Sequence, residues 1–448
     1  MSDTTRIWYH TFGCKANQYD TERMRQELEA RGAMSVPTPS QADVVVINTC
    51  TVTNQADANA RHLIRRLRRQ RPALKIVVAG CSAALKSDEY RAMPETDEVV
   101  AGQDPVVVAE AMAPFGLIED PVAQAGPLRR NARGTRAWLK VQDGCDRQCS
   151  FCATRVARGV SRSRPPEEVV EEARALSRVH PELVITGIHI GHYGLDLEPS
   201  VTLTDLLERL LSTVTARIRL SSIEATEIDD RMVRLVLESG GQLAPHLHVP
   251  LQSGSDHVLA TMRRWHTREA VRSRLLDIAS RIAPLGLGAD VIVGFPGETD
   301  ADHAETRALI EELPYTYLHV FPYSVRDKTV AASLPDRVPG DVAARRSREL
   351  REIVLEKGRV HRRCRVGQRA DVVVEGAGRS EHAGGFAAAP ALGLTGDYLR
   401  VEIVGAARPG DRFVTRLCAE GERLLVSTRE SHEDWRAIRR RRRSSPDP

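Results

Sequence analysis

The stretch GCDRQCSFC, residues 144–152, decides the fold of the central part of the chain. It carries Cys145, Cys149 and Cys152 in the spacing Cys-x3-Cys-x2-Cys, directly after a predicted strand at 138–141. Zinc sites usually close a tetrahedron with two Cys-x2-4-Cys pairs, or with one pair and two histidines. Three cysteines on a four-iron cluster would instead leave one iron open to chelate a small molecule. The loop therefore indicates an iron–sulfur cluster, with zinc or unrelated thiols as the weaker alternatives.

Strands and helices alternate on the C-terminal side of this loop. The predicted strands lie at 138–141, 183–186, 218–223, 246–251, 288–293 and 317–322. The predicted helices between them include 167–179, 203–214, 231–238, 268–283 and 301–313. Six such strand–helix units are fewer than the eight of a closed TIM barrel, so the pattern predicts a partial (β/α)6 barrel.

Alternation along two of these strands predicts polar groups inside the barrel. The residues expected on the inner face are His246, His248, Pro250 and Gln252 on one strand, and Ile218, Leu220, Ser222 and Glu224 on the other. Side chains two positions apart in a strand share a face, and Gly187 ends a third strand on the same side. Polar inner groups are expected of a barrel that holds a ligand, although histidines satisfied within a core are an equal alternative.

The first part of the chain predicts a second trio of cysteines. Strands at 6–12, 43–47 and 75–79 alternate with helices at 20–31 and 55–70, which is typical of a parallel sheet. The residues that closely follow the three strands are Cys14, Cys50 and Cys81. The carboxyl ends of parallel strands meet at the edge where ligands bind. We therefore expect the three thiols to converge, although unrelated buried thiols would also fit.

Changes in composition set the domain limits. Residues 114–134 are rich in Pro, Gly and Ala and predict a linker, and residues 340–363 predict one long charged helix. Short strands separated by Gly, Pro and Asp follow this helix, as in a small all-β barrel. The expected α/β protein has an N-terminal parallel-sheet domain at 1–125, a partial barrel with its trailing helix at 131–364, a small β-barrel at 365–430 and a basic, disordered tail at 431–448.

The composition excludes several classes of protein. The 448 residues are 42% hydrophobic and 28% charged, unlike a disordered chain, a fibre or a small disulfide scaffold. No apolar run approaches the roughly 18 residues that span a bilayer, and the first residues lack the features of a secretion signal. We therefore expect a cytoplasmic protein with no membrane partner, whose eight cysteines serve metal binding or catalysis and not disulfides.

Arginine supplies nearly all of the positive charge. The net charge is +4, from 64 Lys and Arg against 60 Asp and Glu, and most of the basic residues are arginines. Planar guanidinium groups pair well with phosphates, so the arginine-rich stretches at 61–71 and 158–164 are candidates for nucleic-acid binding. A genome rich in arginine codons would give the same bias.

With these features the chain resembles the radical S-adenosylmethionine (SAM) superfamily. The resemblance rests on Cys145, Cys149 and Cys152 at the end of the first strand of a partial barrel. It implies a 4Fe–4S cluster whose open iron binds the amino and carboxylate groups of SAM, and cleavage of SAM to a 5′-deoxyadenosyl radical. Phe151 stands where that superfamily has an aromatic residue near the adenine. The further SAM contacts expected from strand parity and this resemblance are Gly187, Ser222, Glu224 and Gln252.

Motifs along nearly the whole chain narrow the resemblance to the methylthiotransferases. They are TFGCKANQYDTE (11–22), NTCTVT (48–53), AGC (79–81), TRAWLKVQDGC (135–145), RLSSIEATEID (219–229), HVPLQSGSD (248–256), DVIVGFPGET (290–299) and GLTGDYLRVEIV (393–404). The last is similar to a TRAM domain, a small RNA-binding β-barrel. The family implies a second 4Fe–4S cluster on Cys14, Cys50 and Cys81. One SAM would methylate a sulfur associated with that cluster, and a second would give the radical that removes a hydrogen from the substrate.

The family has three branches with different substrates. Two modify carbon 2 of the adenosine just 3′ of the tRNA anticodon, position 37, when it carries a threonylcarbamoyl or an isopentenyl group. The third modifies an aspartate of a ribosomal protein. GCKANQYDTE, NTCTVT and HVFPYSVRDKTVAA (319–332) resemble the threonylcarbamoyl branch most, although Lys328 replaces a usual glycine and ATRVARG (153–159) departs from a more apolar pattern. The alternative of another class is a non-catalytic, metal-stabilised RNA-binding protein.

The threonylcarbamoyl branch implies tRNA as the main partner, bound through its anticodon stem-loop. A reductant protein such as flavodoxin or ferredoxin is also implied, and a monomer is expected. The helix at 61–71, the loop at 158–164 and the β-module are expected to clamp the RNA through phosphate contacts. A flipped-out base would then enter the barrel mouth.

Overall fold

The N-terminal region of this computed structural model is a parallel sheet with helices on both faces. The structure describes residues 4–51, 54–116, 125–132, 134–377 and 390–428, so the predicted tail at 431–448 lies outside the described residues. The elements of this region are β1 (Arg6–Thr11), α1 (Lys15–Ala30), β2 (Met34–Ser35), β3 (Val44–Thr49), α2 (Asn54–Gln70), β4 (Lys75–Gly80), α3 (Cys81–Leu85), α4 (Ser87–Arg91), β5 (Glu98–Val99) and α5 (Pro105–Ala111). The strand order is β2-β1-β3-β4-β5, with every pair parallel.

The central strand β3 is buried on both faces. Val44 and Val46 pack with residues of α1 and α5 in one core, and Val45 and Ile47 pack with residues of α2 in the other. A strand covered by helices on both sides needs an unbroken apolar run, which is what the stretch VVVI provides.

The central region is an open half-barrel of parallel strands, as predicted. Its strands are β6 (Arg136–Lys140), β7 (Gln142–Asp143), β8 (Arg162–Ser163), β9 (Glu182–Thr186), β10 (Arg217–Leu220), β11 (His246–Gln252), β12 (Gly286–Val293) and β13 (Tyr317–Pro322). Its helices are α6 (Thr154–Arg158), α7 (Pro166–Ser177), α8 (Leu203–Thr213), α9 (Asp230–Glu238), α10 (Asp256–Thr261), α11 (Arg268–Arg281), α12 (Asp300–Glu312) and α13 (Gly340–Arg365). The sheets β6-β9-β10 and β11-β12-β13 are joined by the isolated bridges Ile218–Leu243 and Ser222–His248, while β7 and β8 form a separate antiparallel pair.

The predicted alternation holds on β11. Leu247 and Val249 lie in the core beneath the helices. His246 and His248 therefore face the interior of the half-barrel, where both bond to the hydroxyl of Tyr317 at 2.8 and 3.0 Å. The inner face of this strand is polar, as predicted.

The predicted alternation is wrong on β10. Ile218 and Leu220 lie in the core beneath the helices, and Arg217 and Arg219 face the interior instead. The strand ends at Leu220, three residues before the predicted end. Ser222 and Glu224 lie beyond the end of β10, so their spacing carries no information about which residues of β10 face inward.

Residues 125–132 of the predicted linker are packed between the first two regions. The N–H of Leu128, which is 1% exposed, donates to Glu172 of α7 at 3.0 Å. The N–H of Ala132 donates to Glu22 of α1 at 2.9 Å. This segment therefore fixes α1 against the half-barrel.

The C-terminal region is a mixed, all-β sheet that closes the bottom of the half-barrel. Its strands are β14 (Arg369–Ala377), β15 (Ala391–Thr395), β16 (Arg400–Val404), β17 (Arg412–Arg416), β18 (Cys418–Glu420) and β19 (Arg423–Ser427), in the order β17-β14-β15-β16-β19-β18. The sheet curls, because Thr415 of the edge strand β17 donates to the carbonyl of Ser427 in β19 at 3.0 Å. Arg219 donates to the carbonyls of Thr395 and Gly396, which fastens the module to the half-barrel. In the described residues, no helix is long and apolar enough to cross a membrane.

Candidate active site

The loop trio, defined as Cys145, Cys149 and Cys152, lies at the carboxyl end of β6 and β7. The three thiols are partly exposed. Gly144, just before the trio, has φ +70°, and a Cβ there would lie 1.9 Å from the carbonyl oxygen of Val160. This φ favours glycine, and the carbonyl of Val160 leaves no space for a side chain, so the turn before Cys145 requires glycine.

Cationic side chains surround the loop trio. Arg264 Nη1 donates to Cys149 Sγ at 3.5 Å, and its other terminal nitrogen donates to Glu224 at 2.5 Å. Burial raises the pKa of the Cys149 thiol, whereas Arg264 lowers it. His189 Nδ1 lies 3.8 Å from Cys145 Sγ, and its Nε2 lies 2.7 Å from Glu227. Burial lowers the pKa of His189, but its bonds to Cys145 and Glu227 bring the pKa up to about 9, so the imidazole is charged at neutral pH.

The strand-end trio, defined as Cys14, Cys50 and Cys81, converges at one edge of the N-terminal sheet, as predicted. Cys50 and Cys81 are buried and Cys14 is exposed. A Cβ on Gly13 would lie 2.4 Å from Cys50 Sγ, which places the turn before Cys14 against Cys50. Cys14 lies near enough to Cys81 to raise the pKa of the Cys81 thiol.

A buried ion network joins the strand-end trio to the half-barrel. Arg158 of α6 is fully buried, and its Nε donates to Cys81 Sγ at 3.1 Å. The same guanidinium binds Asp20 of α1 at 2.7 Å and Asp143 at 2.9 Å. Lys140 of β6 also pairs with both carboxylates. Burial raises the pKa of Cys81 to about 12, and Arg158 opposes that rise. The positive charge beside the strand-end trio is therefore supplied by the barrel region.

One cavity of about 410 Å³ lies beside the loop trio and extends to the N-terminal region next to Cys50. The half-barrel contributes Cys152 of the loop trio to its wall, and the N-terminal region contributes Thr51, the residue after Cys50. Its remaining lining residues include Phe151, Gln252, Asp290, Ile292 and Phe321. The cavity is mostly apolar near Phe151 and Ile292, as expected of a small-molecule site.

Arg326 stands between the two trios. It follows β13, lines the same cavity and donates to the carbonyl of Thr51. Burial lowers its pKa, whereas Cys50 of one trio and Cys152 of the other both raise it. Its guanidinium is therefore close to both sets of thiols.

The donor sets fit clusters better than single zinc ions. With Zn–S bonds of about 2.3 Å, a tetrahedral site needs sulfurs about 3.8 Å apart. Among the described residues, the groups of three His, Cys, Asp or Glu ligand atoms within 4.8 Å of one another include neither cysteine trio. All-thiol donors at wider spacing, with cationic neighbours, suit an anionic iron–sulfur cluster.

The predicted SAM contacts occupy three kinds of environment. Phe151 and Gln252 line the cavity, and Phe151 also meets Phe295 edge-on at 6.3 Å between ring centroids. Glu224 is buried and pairs with Arg264, so it would influence the loop trio through that arginine and not by direct contact with SAM. Gly187 lies where a Cβ would be 2.9 Å from the carbonyl oxygen of Gln142, and Ser222 is exposed just after β10.

The arginine-rich stretches divide into buried and exposed groups. The prediction that 158–164 contacts RNA is wrong for Arg158, which is fully buried, and Arg164 of the same stretch binds Glu172 at 3.1 Å. On α2, Arg68 is bound to Asp97, whereas Arg66 and Arg69 are exposed. Contact of the exposed Arg66 and Arg69 with RNA stays a prediction.

Several residues of the site were missed by sequence reasoning. Arg326 stands in the stretch HVFPYSVRDKTVAA, whose resemblance to the threonylcarbamoyl branch assigns no role to this arginine. Asp290 alternates with Ile292 along β12, and the same period-2 rule that found Gln252 would have found it. No local signal marked Arg158 as a partner of Cys81, because that contact joins residues far apart in the sequence.

Comparisons with known proteins agree with this geometry. Residues 6–102 match a family model described as "Uncharacterized protein family UPF0004", and residues 139–310 match the Radical SAM superfamily. The chain is 40% identical to threonylcarbamoyladenosine tRNA methylthiotransferase MtaB of Bacillus subtilis, over 77% of this chain and 79% of that protein. It is 35% identical to the MtaB of Rickettsia prowazekii, over 84% and 89% of the two chains. A tRNA-2-methylthio-N(6)-dimethylallyladenosine synthase of Staphylococcus aureus is 31% identical, over 85% and 77%.

A solved structure supports the fold. The radical SAM methyltransferase TsrM from Kitasatospora setae, with tryptophan and a SAM analogue bound, is similar with a TM-score of 0.53. The match covers 73% of this chain and 75% of that one at 14% identity, so it speaks for the fold alone. The extent and identity of the sequence matches set aside a non-catalytic binding protein. The chain therefore belongs to the tRNA methylthiotransferase family of radical SAM enzymes, which use SAM and iron–sulfur clusters.

Proposed function

We propose that this enzyme converts N6-threonylcarbamoyladenosine at position 37 of tRNA to its 2-methylthio derivative. Identity to the threonylcarbamoyladenosine methylthiotransferases, 40% and 35%, exceeds the 31% to the dimethylallyladenosine synthase. The observation that carries the proposal is that Cys152 of the loop trio and Thr51, the residue after Cys50, line one cavity, and that Arg326 in the same wall is close to both Cys50 and Cys152. A reaction that opens a C–H bond and delivers a sulfur group to the same carbon needs two centres at one substrate site.

The two trios would each hold one 4Fe–4S cluster. One cluster would supply the electron that cleaves SAM, and the other would hold the sulfur that is methylated and transferred. The chain itself supplies a cationic surround that stabilises thiolates, with Arg264 and His189 beside the loop trio and Arg158 beside the strand-end trio. Hydrogen bonds from charged donors to thiolates favour the deprotonated, ligating form.

The walls of the cavity would hold SAM and the substrate base away from water. Phe151, Ile292 and Phe321 form its apolar part, and Phe321 is 40% exposed at the rim. An exposed aromatic ring suits stacking on a flipped-out base. Gln252 and Asp290 add polar groups to the wall. Exclusion of water protects a reactive organic radical from side reactions.

RNA binding is proposed for surfaces around this cavity. Arg66 and Arg69 on α2 are exposed and able to meet phosphates of the anticodon stem-loop. The curled C-terminal sheet would act as a TRAM-like RNA-binding module. A monomer, supplied with electrons by flavodoxin or ferredoxin, suffices, because one chain holds both trios. A tRNA substrate is consistent with a cytoplasmic location.

Mass spectrometry of tRNA nucleosides from a deletion strain tests the proposal. Loss of 2-methylthio-N6-threonylcarbamoyladenosine, with its precursor retained, is the expected result. Loss of the methylthio form of isopentenyladenosine would assign the enzyme to the other tRNA branch. Unchanged tRNA with an unmethylthiolated ribosomal-protein aspartate would contradict a tRNA substrate. Anaerobic analysis of the purified protein should give about eight irons per chain.

A further inference from the structure

Lys15 projects from the N-terminal region into the half-barrel. It follows Cys14 and begins α1, which packs beside the edge strand β6. Four charged side chains act on the pKa of its ammonium, and they belong to four different strands of the half-barrel: Arg136, Arg219, Glu182 and Asp290. Only a position inside the half-barrel is near all four strands.

Lys15 differs from the other interior cations in having no partner. Arg219 pairs with Glu182 at 2.9 Å, and Arg136 pairs with Glu375 at 2.9 Å. Within the described residues, the Lys15 side chain makes no hydrogen bond and no ion pair. A largely buried ammonium that no carboxylate contacts directly is unfavourable, and Glu182 and Asp290 act on Lys15 only from a longer distance. An anionic group of a ligand would remove that cost.

Two further observations place a ligand group near Lys15. His246 is 2% exposed, lies close enough to Lys15 for the ammonium to lower its pKa, and leaves Nδ1 without a hydrogen bond in the described chain. Asp290, whose charge acts on Lys15, lines the cavity between the two trios. Lys15 is therefore close to one wall residue of the proposed substrate site.

The charge of this region favours an anion over a metal ion. His248, Asp290 and His319 bring three ligand atoms within 4.8 Å of one another, which would suit a divalent cation. However, Asp290 Oδ1 already meets His248 Nε2 and His319 Nδ1, each at 3.1 Å. Lys15 adds a fixed positive charge beside the same carboxylate. A second cation is disfavoured there, and an anion beside Lys15 is favoured.

We propose that Lys15 binds the carboxylate of the threonylcarbamoyl group and so selects the substrate. This inference rests on the proposed function. The threonylcarbamoyl group ends in a carboxylate, whereas an isopentenyl group is a hydrocarbon. With the base at the cavity rim near Phe321, its N6 substituent extends past Asp290 towards Lys15. A charge-assisted hydrogen bond from the ammonium then distinguishes the two modified adenosines.

The test compares two synthetic anticodon stem-loops, one with the threonylcarbamoyl carboxylate and one with its methyl ester. Wild type and Lys15→Gln are assayed for methylthiolation at equal iron content. Wild type should prefer the acid over the ester by about 10- to 100-fold in kcat/KM, and Lys15→Gln should lose that preference. Lys75→Gln is the matched control, because Lys75 pairs with Asp97 at the start of β4 and should keep the preference.

Two results would overturn the inference while leaving the proposed function intact. They are a wild-type enzyme that uses acid and ester equally, and a Lys15→Gln variant that slows both substrates by the same factor. The first needs no variant, so the test stands even if the variant folds poorly. A wild-type enzyme that modifies isopentenyladenosine RNA and neither of these substrates would instead reject the proposed function, and the inference with it.

Discussion

The two cysteine trios are positioned by different features of the structure. The loop trio stands within one turn, where its spacing depends on local backbone such as Gly144. The strand-end trio depends on sheet register, because Thr11 pairs with Asn48 and Thr49 pairs with Gly80. These pairs align three strand ends, and Cys14, Cys50 and Cys81 follow them. The first trio is a property of a short sequence, and the second is a property of a folded sheet.

The trios also differ in where their positive charge comes from. Arg264 and His189, beside the loop trio, belong to the same half-barrel as that trio. Arg158, beside Cys81, comes from the neighbouring region and is tied to Asp20 and Asp143. The strand-end trio therefore needs correct docking of two regions, which makes it the more vulnerable site.

The largest expected effect separates the trios by their chemistry. Cys145→Ala should abolish both SAM cleavage and product formation, whereas Cys50→Ala should abolish product and retain reductive SAM cleavage. The reason is that the loop trio would hold the cluster that binds SAM. Chromatography of 5′-deoxyadenosine and of digested tRNA measures both activities. Product formed by either variant would contradict a need for both trios, and equal SAM cleavage by the two variants would contradict the different roles assigned to them.

Loss of the buried arginine should damage only the strand-end trio. Arg158→Met leaves Asp20 and Asp143 with Lys140 alone and removes the donor to Cys81, so we expect about 3 kcal/mol lower stability and about half of the iron. Iron analysis and thermal unfolding measure these effects. Arg155→Met, an exposed position on the same helix, is the control and should match wild type. Full iron content in Arg158→Met would show that docking does not support this trio.

A smaller effect is expected from crowding the turn before Cys14. Gly13 has φ +104°, and an alanine Cβ would lie 2.4 Å from Cys50 Sγ. We expect Gly13→Ala to lose about 1–2 kcal/mol from backbone strain, together with part of the iron of the strand-end trio. Gly340→Ala should be neutral, because a Cβ there meets nothing within 4 Å. Unchanged iron in Gly13→Ala would show that the turn tolerates displacement.

The smallest effect concerns the exposed arginines of α2. Arg66→Ala and Arg69→Ala should each weaken tRNA binding several-fold and reduce the salt dependence, because each removes one phosphate contact. Wild-type affinity should fall at least about tenfold between 50 and 200 mM salt. Filter binding or fluorescence anisotropy measures both. Salt-independent binding would contradict an electrostatic contribution from this surface.

Local patterns predicted the elements well and the contacts between them poorly. The strand at 317–322 and the helix beginning at residue 203 were placed correctly, because each has clear end signals and a regular apolar period. Helix α1 begins at Lys15, five residues before the predicted start, because Cys14 is its N-cap residue. The predicted inner face of β10 is wrong because the prediction relied on Ser222 and Glu224, which lie beyond the end of that strand. The buried role of Arg158 was invisible, since a run of arginines carries no sign of which one finds a carboxylate.

The amino-acid sequence alone determined the α/β class, the half-barrel and the loop trio, because strand–helix periodicity and cysteine spacing within one loop are short-range properties. For the strand-end trio it determined that each cysteine follows a strand, and the register of the folded sheet brings the three together. The tertiary structure decided which charges meet which thiols, and that Arg326 lies between the trios. It also decided that Lys15 enters the half-barrel unpaired. Such contacts join residues far apart along the chain. A buried charge is unfavourable without a partner, and strand register and the docking of the regions decide which residues become partners.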